Sequence, residues 1–142
     1  MRCVRGLMVV GVIALSVGVV RASATMLERP LPLEGTRWGV KVMPDVQARE
    51  RGGKPFNDIL IFKDGKVTMS ACVKYGYTAS PYTLSNLGGH WAFKTAQVSE
   101  KDGQTVWTGD ITGNAIKGTM AWTKTSDGVV YYYTFEGKKA GK

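Results

Sequence analysis

Eight short runs of alternating apolar and polar residues, joined by small polar turns, fill most of the chain from about residue 36 to 137. No segment carries a helical period long enough to compete with them. The runs recur at intervals of roughly ten residues with hairpin-length links, so each strand can pair with the one before it. A sheet built that way curls until its first strand meets its eighth, and closure removes the edges that otherwise invite aggregation. The expected fold is therefore all-β, an eight-stranded antiparallel up-and-down β-barrel. A two-layer sandwich needs long crossovers between sheets, and only 44–55 could serve as one.

The expected strands are 36–43, 56–63, 66–74, a weaker one within 77–84, then 90–99, 104–112, 115–124 and 129–137. Asp64-Gly65 is a strong two-residue hairpin turn, because both central positions of a type I′ turn need positive φ. Lys101-Asp102-Gly103, Gly113-Asn114 and Ser126-Asp127-Gly128 are further turn signals. Pro81 cannot donate a ladder bond, so the fourth strand is bulged or an edge there. The connection 44–55, with Arg49, Arg51, Gly52, Gly53 and Lys54, reads as a mobile, basic loop. Alternation in 67–74 places Cys72 on a strand, opposite Val67, Met69, Ala71 and Val73. Asp58 shares a face with Phe56, Leu60 and Phe62; a carboxylate turned inward calls for a cationic partner, for which Arg37 and Lys41 are candidates.

The chain begins with Arg2 and Arg5, continues with an apolar stretch over 7–20, and then reads Arg21-Ala22-Ser23-Ala24. This is the pattern of a secretory signal peptide with an A-x-A site, cut after Ala24. The apolar stretch is short of the ~20 residues that span a bilayer, and no cysteine stands at the cleavage point. The resulting division is 1–24 signal peptide, 25–34 extended lead-in with Pro30 and Pro32, 35–138 barrel and 139–142 basic tail. The expected destination is the periplasm of a bacterium or the extracellular space. Cys3 leaves with the leader, so Cys72 has no partner for an intramolecular disulfide. Of the formal charge of +8, Arg2, Arg5 and Arg21 belong to the leader. The remaining cations are scattered and not gathered on one face, so a nucleic-acid partner is not expected.

Gly35-Thr36-Arg37-Trp38-Gly39 at the head of the first strand resembles the opening of calycins, the superfamily of lipocalins, fatty-acid-binding proteins and avidins. That family sets a glycine and a tryptophan at G-x-W spacing; here the spacing is one residue longer. The resemblance covers Gly35 to Gly137 and implies a lipocalin/avidin-like barrel. It further implies that Trp38 closes one barrel end, with Lys138 or Lys139 from the last strand as its cover. The segments 106–113 and 117–122 resemble the later strands of small bacterial lipocalin-like domains and of avidins. Gly39, Val40, Lys41 and Val42 stand where avidins carry the asparagine and serine that grip biotin, so biotin is not expected. The long lipocalin C-terminal helix and its disulfide are missing.

An eight-stranded barrel can be filled by its own side chains or hold one small ligand. Trp38, Trp91, Trp107 and Trp122 lie on matching faces, with Phe93 and Met120 beside them. They either plug the middle or line an aromatic pocket, with Gly109 and Gly118 leaving room between them. These six residues are the candidate ligand-binding set, and Tyr75, Tyr77 and Tyr132 are candidate hydroxyl contacts. The expected function is an exported, lipocalin-like binding protein for a small hydrophobic or amphipathic ligand held in the barrel interior. The alternative is a ligandless structural or interaction barrel acting through its outer face or the 44–55 loop.

Catalytic chemistry is not in view. His90 is the sole histidine, no G-x-S-x-G turn is present, and Asp58, Asp110 and Glu136 have no spacing that pairs them. No enzyme activity, metal or cofactor is expected. A membrane-spanning barrel would need an apolar outer band, whereas Lys63, Lys74, Lys94, Lys117 and Lys124 recur on one face of the strands.

Overall fold

The computed structural model describes residues 32–141; the expected leader and residues 25–31 lie outside them. The strands are β1 (Arg37–Pro44), β2 (Phe56–Lys63), β3 (Lys66–Met69), β4 (Ser80–Asn86), β5 (Trp91–Ser99), β6 (Gly103–Thr112), β7 (Ala115–Lys124) and β8 (Val130–Lys139). Each pairs antiparallel with its neighbour in sequence, and β1 pairs with β8 to close the barrel. Inward residues alternate with exposed ones along nearly every strand, as in Thr105, Trp107, Gly109 and Ile111 of β6. Asp64 and Gly65 hold φ of 56° and 74°, the two left-handed residues that a type I′ hairpin requires.

Four local expectations are corrected. The connection 44–55 carries a short helix, α1 (Val46–Glu50). Asp45 caps it, its Oδ1 accepting from the Ala48 N–H at 2.7 Å, and Ala48 is buried. The strand expected over 66–74 stops at Met69 and tightens into a 3-10 turn, Ser70–Tyr75, so Cys72 and Lys74 lie on that turn. Gly76, at φ 94°, ends it. The cause is Asp58, which does face inward, although no cation meets it. Arg37 and Lys41 alternate to the outside. Asp58 Oδ1 instead accepts from the N–H of Ile59 (2.7 Å) and Ala71 (2.8 Å) and from the Ser70 hydroxyl (3.1 Å); Oδ2 accepts from the Cys72 thiol at 3.6 Å. The donors from Ser70, Ala71 and Cys72 reach it because the chain turns after Met69. Lastly, β8 runs through Lys138 and Lys139, which were expected at the end of the barrel and in the tail.

The ladder between β3 and β4 is short, with Lys66 opposite Pro81 and Val67 opposite Ser80. Buried polar side chains of β5 make up the difference. Thr95 Oγ1 donates to the Pro81 carbonyl (2.8 Å), Gln97 Nε2 to those of Val67 and Thr78 (both 3.1 Å), and Ser99 Oγ to that of Tyr75 (2.6 Å). A β-strand turns every second side chain inward, so the inner face of β5 staples the whole β3–β4 connection.

The barrel middle is solid. Phe62 packs edge-on against Phe93 at 5.3 Å, and Phe135 lies 6.4 Å from Phe93 and 5.2 Å from Trp107. One register row reads Phe93, Gly109, Gly118, Phe135 across β5 to β8. The two glycines make room, as the sequence suggested, but the rings of Phe93 and Phe135 occupy it. One end of the tube is also closed. Trp38 is 2% exposed there, beside buried Leu33, and its indole N–H donates to Thr36 Oγ1 at 3.0 Å. Glu34 straps this end. Its carboxylate accepts from the N–H of Asp64 (2.6 Å) and Gly65 (2.8 Å) and from the Tyr82 hydroxyl (2.9 Å). Lys139 stands directly opposite Trp38 across the β1–β8 seam.

Candidate functional site

The other end of the barrel is open. The residues after α1, the Ser70–Tyr75 turn, the β5–β6 link and the far end of β7 surround a cavity of ≈ 450 Å³ that opens to solvent. Its size is within the ~300–1,000 Å³ of small-molecule sites. Met120 and Thr105 are buried at its inner surface. Met120 is the cross-strand partner of Trp107, so the solid middle begins directly behind it.

Aromatic rings form much of the wall: Phe56, Tyr75, Tyr77, Trp122 and Tyr133. Phe56 meets Tyr133 edge-on at 6.1 Å, and Trp122 lies 4.9 Å from Tyr131. The indole N–H of Trp122 donates to the Asp102 carbonyl at 2.9 Å, which fixes the ring against the β5–β6 link. Gly53 allows the segment after α1 to close in: a Cβ there would stand 2.8 Å from the Ala48 carbonyl and 3.1 Å from the Tyr133 hydroxyl. These rings can bury on the order of 200 Å² each, and a planar guest would find them already in place.

The polar groups of the cup are few. Lys54 and Lys74 line it with exposed side chains, and the Lys74 ammonium sits over the Tyr75 ring at 5.2 Å. Thr105 and Tyr77 are each 3% exposed, and neither hydroxyl has a hydrogen-bond partner. Burial pushes the Tyr77 phenol up, and the Asp102 carboxylate adds to that shift from close by, without the two meeting the geometry of a hydrogen bond. Buried polar atoms are nearly always paired, and these two exceptions belong to residues that line one cavity. Gln97 Oε1 and Trp107 Nε1 are the other buried side-chain atoms without partners among the described residues.

Cys72 also lines the cup, but as a protonated thiol. Burial, then the Asp58 charge, pushes it up to about 12. A nucleophilic cysteine needs the opposite, a lowered value. Asp58 itself is raised by burial, against the pull of the donors from Ala71, Ile59, Ser70 and Cys72. His90 lies away from the cup, its Nε2 3.9 Å from Asp110 Oδ1. No cluster of three or more His, Cys, Asp or Glu side chains among the described residues is placed to hold a metal ion.

The six candidate residues from the sequence are thus spread over three levels. Trp122 and Met120 are in the cup. Trp107 and Phe93 belong to the solid middle. Trp38 is at the closed end, and Trp91, half-buried, pairs with Ile111 on the side of the barrel away from the cup. Tyr75 and Tyr77 reach the cup, whereas Tyr132 stands exposed on the outer wall. Sequence reasoning passed over Phe56, Thr105 and Tyr133. Alternation could have found all three, since each shares the inward parity of its strand. In comparisons with known proteins, the chain matches no family model, no curated protein and no solved structure.

Proposed function

We propose that the protein is an exported, lipocalin-like binding protein that holds a small hydrophobic or amphipathic ligand in the open cup. The reading rests on one observation: a half-open cavity walled by aromatic rings, with two buried hydroxyls that nothing in the protein satisfies. The packed middle moves the expected ligand from the barrel interior at large to this single end. An aromatic guest burying about 200 Å² of apolar surface would gain roughly 5 kcal/mol before the cost of association. Export, to a bacterial periplasm or to the outside, rests on the leader pattern in 1–24. Binding is preferred to catalysis because the buried Cys72 thiol is held protonated and His90 is remote from the cavity.

The outer wall favours water as its surroundings. Asp110, Lys117, Glu136 and Lys41 form one row of alternating charge across β6, β7, β8 and β1. A lysine on a lipid-facing strand costs about 2–4 kcal/mol at the bilayer midplane. No described helix is long and apolar enough to cross a membrane. A second reading, an interaction barrel, draws on the exposed Tyr132 and Val98 of that wall and on Val46 of α1.

Substituting Ala71, half-buried on the cup wall, with tryptophan tests the first reading. Ala71→Trp should fill the cavity and weaken any ligand that quenches wild-type tryptophan fluorescence by at least about tenfold, with the melting temperature nearly unchanged. Undiminished binding in the filled variant would place the ligand elsewhere and end the cup reading.

A further inference from the structure

The cup has a polar order as well as an aromatic one. Two of its lining residues, Thr105 and Tyr77, are buried and carry hydroxyls without a partner, with the Asp102 carboxylate close to Tyr77. At its exposed surface stand two ammonium groups, Lys54 and Lys74, the second held over the Tyr75 ring. Trp122, directly across the β6–β7 ladder from Thr105, and Phe56 and Tyr133 complete the aromatic lining. From this arrangement we infer that the ligand is an aromatic carboxylate with a hydroxyl at its far end, its ring among the aromatic walls, its hydroxyl against Thr105 and Tyr77, and its carboxylate at Lys54 and Lys74. The inference rests on the cup reading above and goes beyond it in naming the chemistry.

Each part of that guest answers a group of the cup. A hydroxyl both donates and accepts, so it can serve two hydroxyls at once or donate towards Asp102. Flat rings prefer offset or edge-on partners at 4.5–7 Å, which a cup of five aromatic side chains offers and a flexible alkyl chain does not use. A carboxylate at the exposed level keeps its charge in partial contact with water, where it is not taxed by desolvation, and gains charge-assisted hydrogen bonds from two ammonium groups. The opposite orientation would bury the anion beside Asp102, a like charge.

The test is calorimetric titration of the folded protein with four probes: 6-hydroxy-2-naphthoate, 2-naphthoate without the hydroxyl, 2-naphthol without the carboxylate, and decanoate without the ring. The hydroxynaphthoate should bind at least about tenfold more tightly than each of the others. Lys54→Ala with Lys74→Ala should remove the advantage over 2-naphthol while leaving 2-naphthol itself unchanged. Thr105→Val, or Tyr77→Phe, should remove the advantage over 2-naphthoate alone. If 2-naphthol, 2-naphthoate or decanoate matches the hydroxynaphthoate on the wild-type protein, the assigned chemistry is wrong and the cup reading stands. If none of the four binds, both fall together.

Discussion

Gly109 and Gly118 face one another across β6 and β7, and the reason is steric at both positions. A Cβ at Gly118 would collide with the Thr108 carbonyl and come within 2.6 Å of Gly109 Cα and 2.9 Å of Phe135 Cζ. A Cβ at Gly109 would collide with Phe93 Cε1 and approach Phe135 Cζ at 3.0 Å. The first clash is with backbone and has no cheap relief; the second is with a ring edge that can tilt. Gly118→Ala should therefore destabilise by about 3 kcal/mol and Gly109→Ala by about 1–2 kcal/mol, read from urea unfolding. Phe93→Leu should recover part of the Gly109→Ala loss through coupling and leave the Gly118→Ala loss in place. Equal losses at the two glycines would mean that the rings, and not the strand backbones, set the limit. The same residues show what a sequence withholds. That glycine leaves a gap was legible; what fills the gap depends on Phe93 and Phe135, which arrive from strands on either side.

Among the elements, β5 does the most varied work. Its outer residues face solvent, while Thr95, Gln97 and Ser99 bind the carbonyls of the segment that connects β3 to β4. Gln97→Ala should cost about 2–4 kcal/mol, since it opens a void and leaves the Val67 and Thr78 carbonyls without their donor. Amide exchange over 66–80 should quicken more than anywhere else in the barrel. A uniform change across all eight strands would show that Gln97 acts as a generic core residue and does not staple this seam. Strand order and most strand limits were legible in advance because inward side chains repeat every second residue and the turns carry glycine. The end of β3 was not. Val67, Met69, Ala71 and Val73 keep the strand alternation in sequence, but Asp58 on the neighbouring strand draws Ser70 and Ala71 into a turn. α1 was missed for a simpler reason: five residues are too few to show a period. The cup inherits both gaps, because the Ser70–Tyr75 turn is one wall and the segment after α1 is another. Trp122 and Met120 could be read from the sequence; the level of each tryptophan along the tube could not.

At the scale of the whole molecule, two carboxylates at opposite ends pull stability in opposite directions with pH. Glu34 is lowered from its ordinary 4.5, first by the Gly65 N–H it accepts from, so its contribution is present above 4.5 and is lost as pH falls below it. Asp58 is raised from 3.8, first by burial, so the native state holds its proton longer than the unfolded chain does. Its contribution is greatest in acid and declines as pH rises from 3.8 through the native value. Glu34→Gln should therefore be weaker than wild type near neutral pH and converge with it in acid. Asp58→Asn, which keeps an acceptor but carries no charge, should gain on wild type as pH rises through that window. Urea midpoints from about pH 3 to about pH 8 decide the matter; curves parallel to wild type for both variants would remove both assignments.

The stack of Phe62, Phe93, Phe135 and Trp107 makes this tube a blind vessel, stoppered at half depth. A guest in the proposed cup would have to depart through the same doorway it came in by. How long it stayed would then be governed by the lip, where one buried carboxylate moors a single tight turn, and not by the staves of the vessel itself.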